Sequence, residues 1–191
     1  MEKRKLFIGC SLPENGIEHC KKITSYLADT YGISDLFERF EPHMTWKAPF
    51  YATDAEYIDL CDYLTKFCKG RNAFTVQLGH FGHFKRTVLY ADIVSLTDEL
   101  ELLHRELCDG LKRFPWMTFE PTDTDDKVFH VSVSNHEAGQ RFATISNDVR
   151  EKFKQYFLIP IDTLQVFEKT GDRWLPSASF RLEIIQPKPA T

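Results

Sequence analysis

The chain has 191 residues, of which 42% are hydrophobic and 27% are charged, and its formal net charge is −4 at pH 7. This length and composition are typical of one globular domain, or two closely joined lobes, with a buried core, and the negative charge argues against a large electrostatic footprint for duplex DNA. Because no run approaches the roughly 18 apolar residues that span a bilayer and the five cysteines show no CxxC spacing, we expect a cytoplasmic protein with reduced cysteines and no contact with a membrane.

The first half of the chain predicts three strands separated by two helices, in the order β-α-β-α-β. Apolar residues at helical spacing end at Gly32 in the first helix, and a capping box at Thr53–Glu56 opens the second. The predicted elements are a strand at 6–12, a helix at 14–31, a strand at 42–46, a helix at 53–70 and a strand at 73–78.

The second half repeats this order and then adds a hairpin strand after the turn at 170–172. Its predicted elements are a strand at 88–94, a helix at 97–114, a strand at 129–133, a helix at 136–156, a strand at 161–168 and a last strand at 174–185. A repeat of this size indicates two similar units packed together. We therefore predict an α+β fold in which duplicated β-α-β-α-β units, at about 5–84 and 87–185, form two pseudo-symmetric lobes with antiparallel sheets around a central cleft, in a single domain over 1–191.

The middle strand of each unit carries a histidine that is followed two residues later by a hydroxyl. These triplets are His43-Met44-Thr45 and His130-Val131-Ser132, and their histidines are 87 residues apart. Residues two apart on a strand point to the same face, at roughly 6.6 Å. One such triplet is expected by chance among seven histidines. Two of them on equivalent strands of a duplication favour a shared site instead.

Two facing triplets would suit the cleavage of a phosphodiester without a metal. In-line displacement at phosphorus needs a base for the nucleophile and an acid for the leaving oxygen, and histidine serves as either near neutral pH. Thr45 and Ser132 would donate hydrogen bonds to the non-bridging oxygens. We expect His43 and His130 to lie within about 8 Å of each other, and the dependence of kcat/KM on pH to be bell-shaped around neutrality.

Two residues beside the triplets are candidates for substrate binding. By strand alternation Lys47 shares the face of His43 and Thr45, where it would place a positive charge near a phosphate; the alternative is a solvated lysine at a strand end. Phe84 is a candidate for contact with a base or backbone at the cleft mouth, together with its neighbours Phe81, Lys85 and Arg86.

Two other groups of polar residues are expected to have no catalytic part. His80 and His83 have His-x-x-His spacing, but no nearby cysteine or carboxylate completes a ligand set, so we predict no metal site. The acidic stretch 123–126 precedes His130 and is expected to be a solvated loop that disfavours long polyanions.

With these motifs the chain resembles the two-histidine phosphoesterase superfamily, which contains the 2′-5′ RNA ligases and the 2′,3′-cyclic phosphodiesterases. The likeness covers nearly the whole chain, including residues 79–93 and the terminal hairpin at 164–182. It implies a cofactor-free, metal-independent phosphodiesterase that cleaves a 2′,3′-cyclic phosphate or 2′,5′-phosphodiester in a nucleotide or short RNA. The implied catalytic residues are His43, Thr45, His130 and Ser132, with His43 favoured as the acid and His130 as the base.

Two other functions stay open at this point. One is hydrolysis of a cyclic nucleotide or oligonucleotide signal by the same four residues, and the other is a non-catalytic nucleotide- or RNA-binding module. Binding alone does not require two acid/base groups, so the intact tetrad argues against the module. The absence of a Walker-type loop and of an adenylation lysine motif argues against ATP-driven ligation. We expect the chain to be a monomer whose partner is a nucleotide or a short oligonucleotide.

Overall fold

The computed structural model describes residues 2–94, 98–123, 127–134 and 136–183, which form eight strands and four α-helices. In chain order these are β1 (Arg4–Ser11), α1 (Glu14–Tyr31), β2 (His43–Ala52), α2 (Asp54–Cys68), β3 (Phe74–Phe84), β4 (Val88–Ile93), α3 (Asp98–Leu111), β5 (His130–Ser132), α4 (Phe142–Lys152), β6 (Phe157–Ile161), β7 (Thr163–Thr170) and β8 (Arg173–Arg181). Short 3₁₀ segments lie at Leu36–Glu38, Pro121–Asp123 and His136–Arg141.

The strands form two antiparallel four-stranded sheets, which confirms the predicted α+β fold class. The first sheet has the order β2-β1-β7-β8 and the second has the order β5-β4-β3-β6. Each histidine strand, β2 or β5, is an edge strand and pairs with the strand that begins its half of the chain. The two halves of the chain exchange strands between the sheets. Strand β3 of the first half lies in the second sheet, while β7 and β8 of the second half lie in the first sheet. Each sheet therefore contains strands from both sequence halves.

Local sequence signals account for the ends of the first two helices. Helix α1 ends at Gly32, which adopts the left-handed conformation (φ 66°) that a residue with a Cβ rarely takes. Helix α2 begins with the predicted capping box: the Thr53 hydroxyl accepts from the Glu56 N–H, and the Glu56 carboxylate accepts from the Thr53 N–H.

Two predicted elements differ from the structure. The α-helix expected at 136–156 is shorter in the structure and consists only of α4 (Phe142–Lys152). Gly139 (φ 51°, ψ −134°) interrupts the helical backbone before α4 begins. The strand expected at 161–168 is two strands, since the chain leaves the second sheet after β6 and enters the first sheet at β7. Pro160 does not disturb β6, which is an edge strand and tolerates a residue without an N–H.

One face of each sheet lies in a continuous hydrophobic core, to which all four helices contribute. The largest buried side chains include Trp46 and Phe50 of β2 and Leu6 and Ile8 of β1. All five cysteines are unpaired thiols, and four of them are buried in this core or at its edge. Within the described residues, no helix is both long and apolar enough to cross a membrane.

Candidate active site

The four residues of the two triplets line one small pocket between the sheets. The edge strands β2 and β5 contact each other. The pocket at this contact is lined by His43 and Thr45 from β2 and by His130 and Ser132 from β5. The other wall comes from the loop between α1 and β2, through the side chains of Leu36, Phe37 and Phe40. The structure therefore brings together all four residues that the sequence singled out, in a cavity of about 110 Å³.

Strand alternation gives each triplet one core face and one pocket face. Met44 and Val131, the middle residues, are each 1% exposed, whereas the histidines and hydroxyl residues are half-buried. Cross-strand partners share a face of the sheet. These partners are Ser11 for His43, Gly9 for Thr45, Asp92 for His130 and Tyr90 for Ser132.

Both histidines are held in the same way by their own backbone. Nδ1 of His43 lies 2.8 Å from the carbonyl oxygen of Glu41, and Nδ1 of His130 lies 2.7 Å from that of Val128. A carbonyl oxygen only accepts, so in each ring the Nδ1–H donates and Nε2 is left for a ligand. Nε2 then accepts a proton when the imidazole is neutral and donates one when it is charged, which are the two properties of a general base and a general acid.

Aromatic rings surround both imidazoles. The His43 ring centroid lies 4.8 Å from that of Phe7, 5.4 Å from Phe40 and 5.5 Å from Phe167. The His130 ring packs in the same way against Phe84 at 4.8 Å and Tyr90 at 4.9 Å. Of these five rings, only Phe84 is a candidate on sequence grounds, because the other four lie outside the two triplets and their neighbouring residues.

This burial lowers the pKa of both histidines. Removal from water lowers the pKa of His43 to about 4, with a further decrease from the neighbouring His130, although the bond to the Glu41 carbonyl favours the charged form. Burial also lowers the pKa of His130, and Lys127 lowers it further, against the effect of the Val128 carbonyl. Both imidazoles are therefore neutral in the free protein at pH 7.

Two glycines make room for the rings that support the histidines. A Cβ on Gly82 would lie 2.3 Å from the Tyr90 ring, and one on Gly9 would lie 2.9 Å from the Phe7 ring. A side chain at either position would displace the ring that packs on the histidine. Phe7 and Gly9 alternate along β1, whereas Gly82 pairs with Tyr90 across β3 and β4. Only the first of these pairs is visible as a local spacing in the sequence.

The expectation that Lys47 faces the phosphate is wrong. A bulge in the β1–β2 pairing sets Thr45 opposite Gly9 but Lys47 opposite Ile8, so Lys47 turns to the core side. Its side chain is completely buried, and its Nζ donates to Oδ2 of Asp123 at 2.8 Å. Asp123, expected in a solvated loop, is buried with it, while residues 124–126 lie outside the described part of the chain.

The remaining candidates do not line the pocket. Phe84 touches the His130 ring, and Lys85 and Arg86 form the exposed turn that follows it. Phe81 is 8% exposed and belongs to the core. His83 packs edge-on against Phe142.

Comparison with known proteins gives consistent matches along the chain. A model of the 2′-5′ RNA ligase superfamily matches residues 12–173. A protein of Bacillus cereus (strain B4264) that carries the name "Putative phosphoesterase" is 28% identical over 144 residues, which is 74% of this chain and 78% of that protein. The crystal structure of E. coli LigT complexed with 3′-AMP aligns with a TM-score of 0.66 at 15% identity, over 95% of this chain and 99% of LigT.

A second solved structure, TT0787 of Thermus thermophilus, aligns with a TM-score of 0.63 at 14% identity, over 93% of this chain and 97% of that one. At such identities the likeness to LigT and TT0787 shows a common fold. The match of the family model extends over most of the chain and includes both histidine triplets. It confirms the resemblance suggested by the motifs: the chain belongs to the 2′-5′ RNA ligase superfamily.

Proposed function

We propose that this protein is a metal-independent phosphodiesterase that opens a 2′,3′-cyclic phosphate or a 2′,5′-phosphodiester at a nucleotide or RNA end. One observation carries the proposal. His43 and His130 line the same pocket, each with Nδ1 bound to a backbone carbonyl and Nε2 left for a ligand. Thr45 and Ser132 supply two hydroxyl donors in that pocket.

In this mechanism the two histidines divide the proton transfers between them. Neutral His130 takes a proton from water through Nε2 as the oxygen attacks phosphorus. His43 is neutral in the free protein and takes up a proton from solvent when the phosphate anion binds beside it, and it gives this proton to the sugar oxygen that leaves. This assignment of acid and base follows the family resemblance. Thr45 and Ser132 donate to the non-bridging oxygens, where negative charge accumulates. The product is a phosphomonoester, and proton exchange with solvent restores both rings.

The size and charge of the pocket favour a single phosphodiester group. A cavity of about 110 Å³ is well below the 300 to 1,000 Å³ of typical small-molecule sites, so it fits a phosphate while the nucleosides lie outside. The seven described residues that line it include no lysine or arginine. One imidazolium then matches the single negative charge of a phosphodiester.

The similar proteins support the same class of substrate. The Bacillus cereus relative is named as a phosphoesterase, and E. coli LigT has been crystallised with 3′-AMP, a nucleoside monophosphate. Phe84, which contacts the His130 ring, is our candidate for contact with the base or sugar, and Lys85 and Arg86 follow it in an exposed turn.

The pH dependence is expected to reach its maximum on the acid side of neutrality. A bell-shaped kcat/KM profile reports the pKa values of the free enzyme, and burial lowers both of them below 6.5, that of His43 to about 4. The maximum should therefore lie below pH 6.5, whichever histidine donates the proton, rather than around neutrality. The kcat profile should lie at higher pH, because a bound phosphate anion stabilises the imidazolium. A kcat/KM maximum at pH 7.5 or above would contradict the burial of the pair.

A hydrolysis screen in the presence of EDTA tests the proposed function directly. The substrates are 2′,3′-cyclic mononucleotides, 2′,5′-linked oligonucleotides and cyclic dinucleotides, each with the wild type and the His130→Ala variant. We expect the wild type to cleave the first or second class, and His130→Ala to cleave it at least 10²-fold more slowly. Cleavage of cyclic dinucleotides alone would favour hydrolysis of a signal molecule. Nucleotide binding without any cleavage would favour the non-catalytic module.

A further inference from the structure

A second cavity lies on the second sheet, outside the pocket described above. Its volume is about 550 Å³, within the range of small-molecule sites. We call it the Tyr156 pocket; it is lined by His80, Phe81, Arg150, Phe153, Lys154 and Tyr156.

The strand register places Tyr156 on the same face of the sheet as His130. Gly79 pairs with Asp92, and Asp92 pairs with His130, so these three positions form one row across β3, β4 and β5. A Cβ on Gly79 would lie 2.1 Å from the Tyr156 ring, so this ring covers Gly79 on that face. Two strand spacings, about 10 Å, separate β3 from the His130 strand. The ring is therefore within reach of a nucleotide that adjoins a phosphate held at His130.

The Tyr156 ring is fixed in position but open to solvent. Its hydroxyl lies 2.8 Å from Nε2 of His80, and the two rings meet edge-on at 87°. His80 holds this position with a left-handed backbone (φ 48°), which is uncommon for a residue with a Cβ. Yet Tyr156 is 49% exposed. A fixed and exposed aromatic ring is the kind of surface on which a nucleobase stacks.

A positive charge lies beside this ring. Arg150 donates from Nε and Nη2 to the carbonyl oxygen of Phe81, at 3.2 and 2.9 Å. The pairing of β6 with β3 ends at Leu78, so the carbonyl of Phe81 lies past the last residue of β3 that pairs with β6. Among the described residues Arg150 has no carboxylate partner. Its guanidinium is thus held at the pocket with its charge available to a phosphate.

We propose that the Tyr156 pocket binds the nucleotide next to the cleaved phosphodiester, with its base on Tyr156 and its phosphate near Arg150. The preferred substrate is then an oligonucleotide of at least two nucleotides rather than a cyclic mononucleotide. The predicted preference in cleavage rests on the proposed function. The predicted tighter binding of a dinucleotide than of a mononucleotide does not depend on cleavage and can be tested separately.

The test compares a 2′,3′-cyclic mononucleotide with a dinucleotide that ends in the same cyclic phosphate. In the wild type the dinucleotide should have the higher kcat/KM. Loss of one base stack costs about 1–3 kcal/mol, so Tyr156→Ala should lower kcat/KM for the dinucleotide by about 5- to 150-fold, mainly through KM, and leave the mononucleotide unchanged. Tyr156→Phe keeps the stacking face and loses only the hydroxyl contact with His80, so its loss on the dinucleotide should be much smaller than that of Tyr156→Ala. Arg150→Gln should also affect the dinucleotide alone.

Tyr51→Ala is the matched control, because Tyr51 is similarly exposed (52%) but lies in the first sheet on β2. It should change neither substrate. Equal losses on both substrates, or no loss in Tyr156→Ala, would overturn the inference. Equilibrium binding of an uncleavable dinucleotide and of a mononucleotide to the same variants gives the same comparison without turnover. Failure of the wild type to cleave either cyclic phosphate would therefore count against the proposed reaction but not against this pocket.

Discussion

Replacement of either His43 or His130 by alanine is expected to lower kcat by at least 10²- to 10⁴-fold, the effect of a lost general acid or base. Each ring offers a single nitrogen to the substrate, because Nδ1 is bound to a carbonyl in both. Among the described residues, no other titratable side chain lines the pocket to take over the proton transfer. Single-turnover hydrolysis of the substrate identified in the screen measures this loss.

His83→Ala is the matched control for these variants, since His83 is an exposed histidine of the same sheet that lies outside the pocket. Its kcat should equal that of the wild type.

Thr45→Ala and Ser132→Ala should lower kcat less than the histidine variants, by about 10- to 10³-fold, because each removes one hydrogen bond to the transition state. Loss of wild-type activity in EDTA that a divalent ion restores would contradict the mechanism.

Asp123→Ala is expected to reduce the free energy of unfolding by about 3–5 kcal/mol, the usual cost of leaving one charge of a buried pair uncompensated. The side chains of Lys47 and Asp123 are both completely buried. Asp123 also accepts from the backbone N–H of Ala48 at 2.6 Å and of Glu120 at 2.8 Å. Since a domain is stable by about 5–15 kcal/mol, such a loss takes a large share of the total. Urea unfolding followed by circular dichroism measures it.

Lys112→Met provides the comparison, because Lys112 forms an ion pair with Asp109 in which both side chains are more than half exposed. Exposed pairs of this kind contribute about 0–1 kcal/mol, so this variant should unfold close to the wild type. If Asp123→Ala were as stable as Lys112→Met, the buried pair would not be a main support of the fold.

The sequence predicted what depends on local spacing. The two triplets were found because alternation along a strand fixes which side chains share a face, and Met44 and Val131 are buried as this rule requires. The start of α2 was found because its capping box lies within four residues. The equivalence of the two histidine strands followed from their place in the repeated order of elements.

What the sequence did not predict depends on pairing between distant residues. Lys47 was misplaced because a bulge against β1 breaks the alternation, and a bulge cannot be recognised from one strand alone. Its partner Asp123 lies 76 residues further along the chain. The aromatic supports of the histidines come from other strands of the sheets, including Phe167 on β7.

The exchange of β3 for β7 and β8 makes the two halves of the chain dependent on each other during folding. A chain cut in the turn between β3 and β4 would leave the first half without two strands of its sheet, and the second half without β3, which separates β4 from β6. Neither half could then complete a four-stranded sheet on its own. The pairing of β1 with β7 brings together residues about 160 positions apart. This pairing closes a loop that contains most of the chain, which makes it a slow step to form. The two histidine strands lie at the edges of these two sheets, so the pocket between β2 and β5 depends on strands from both halves of the chain.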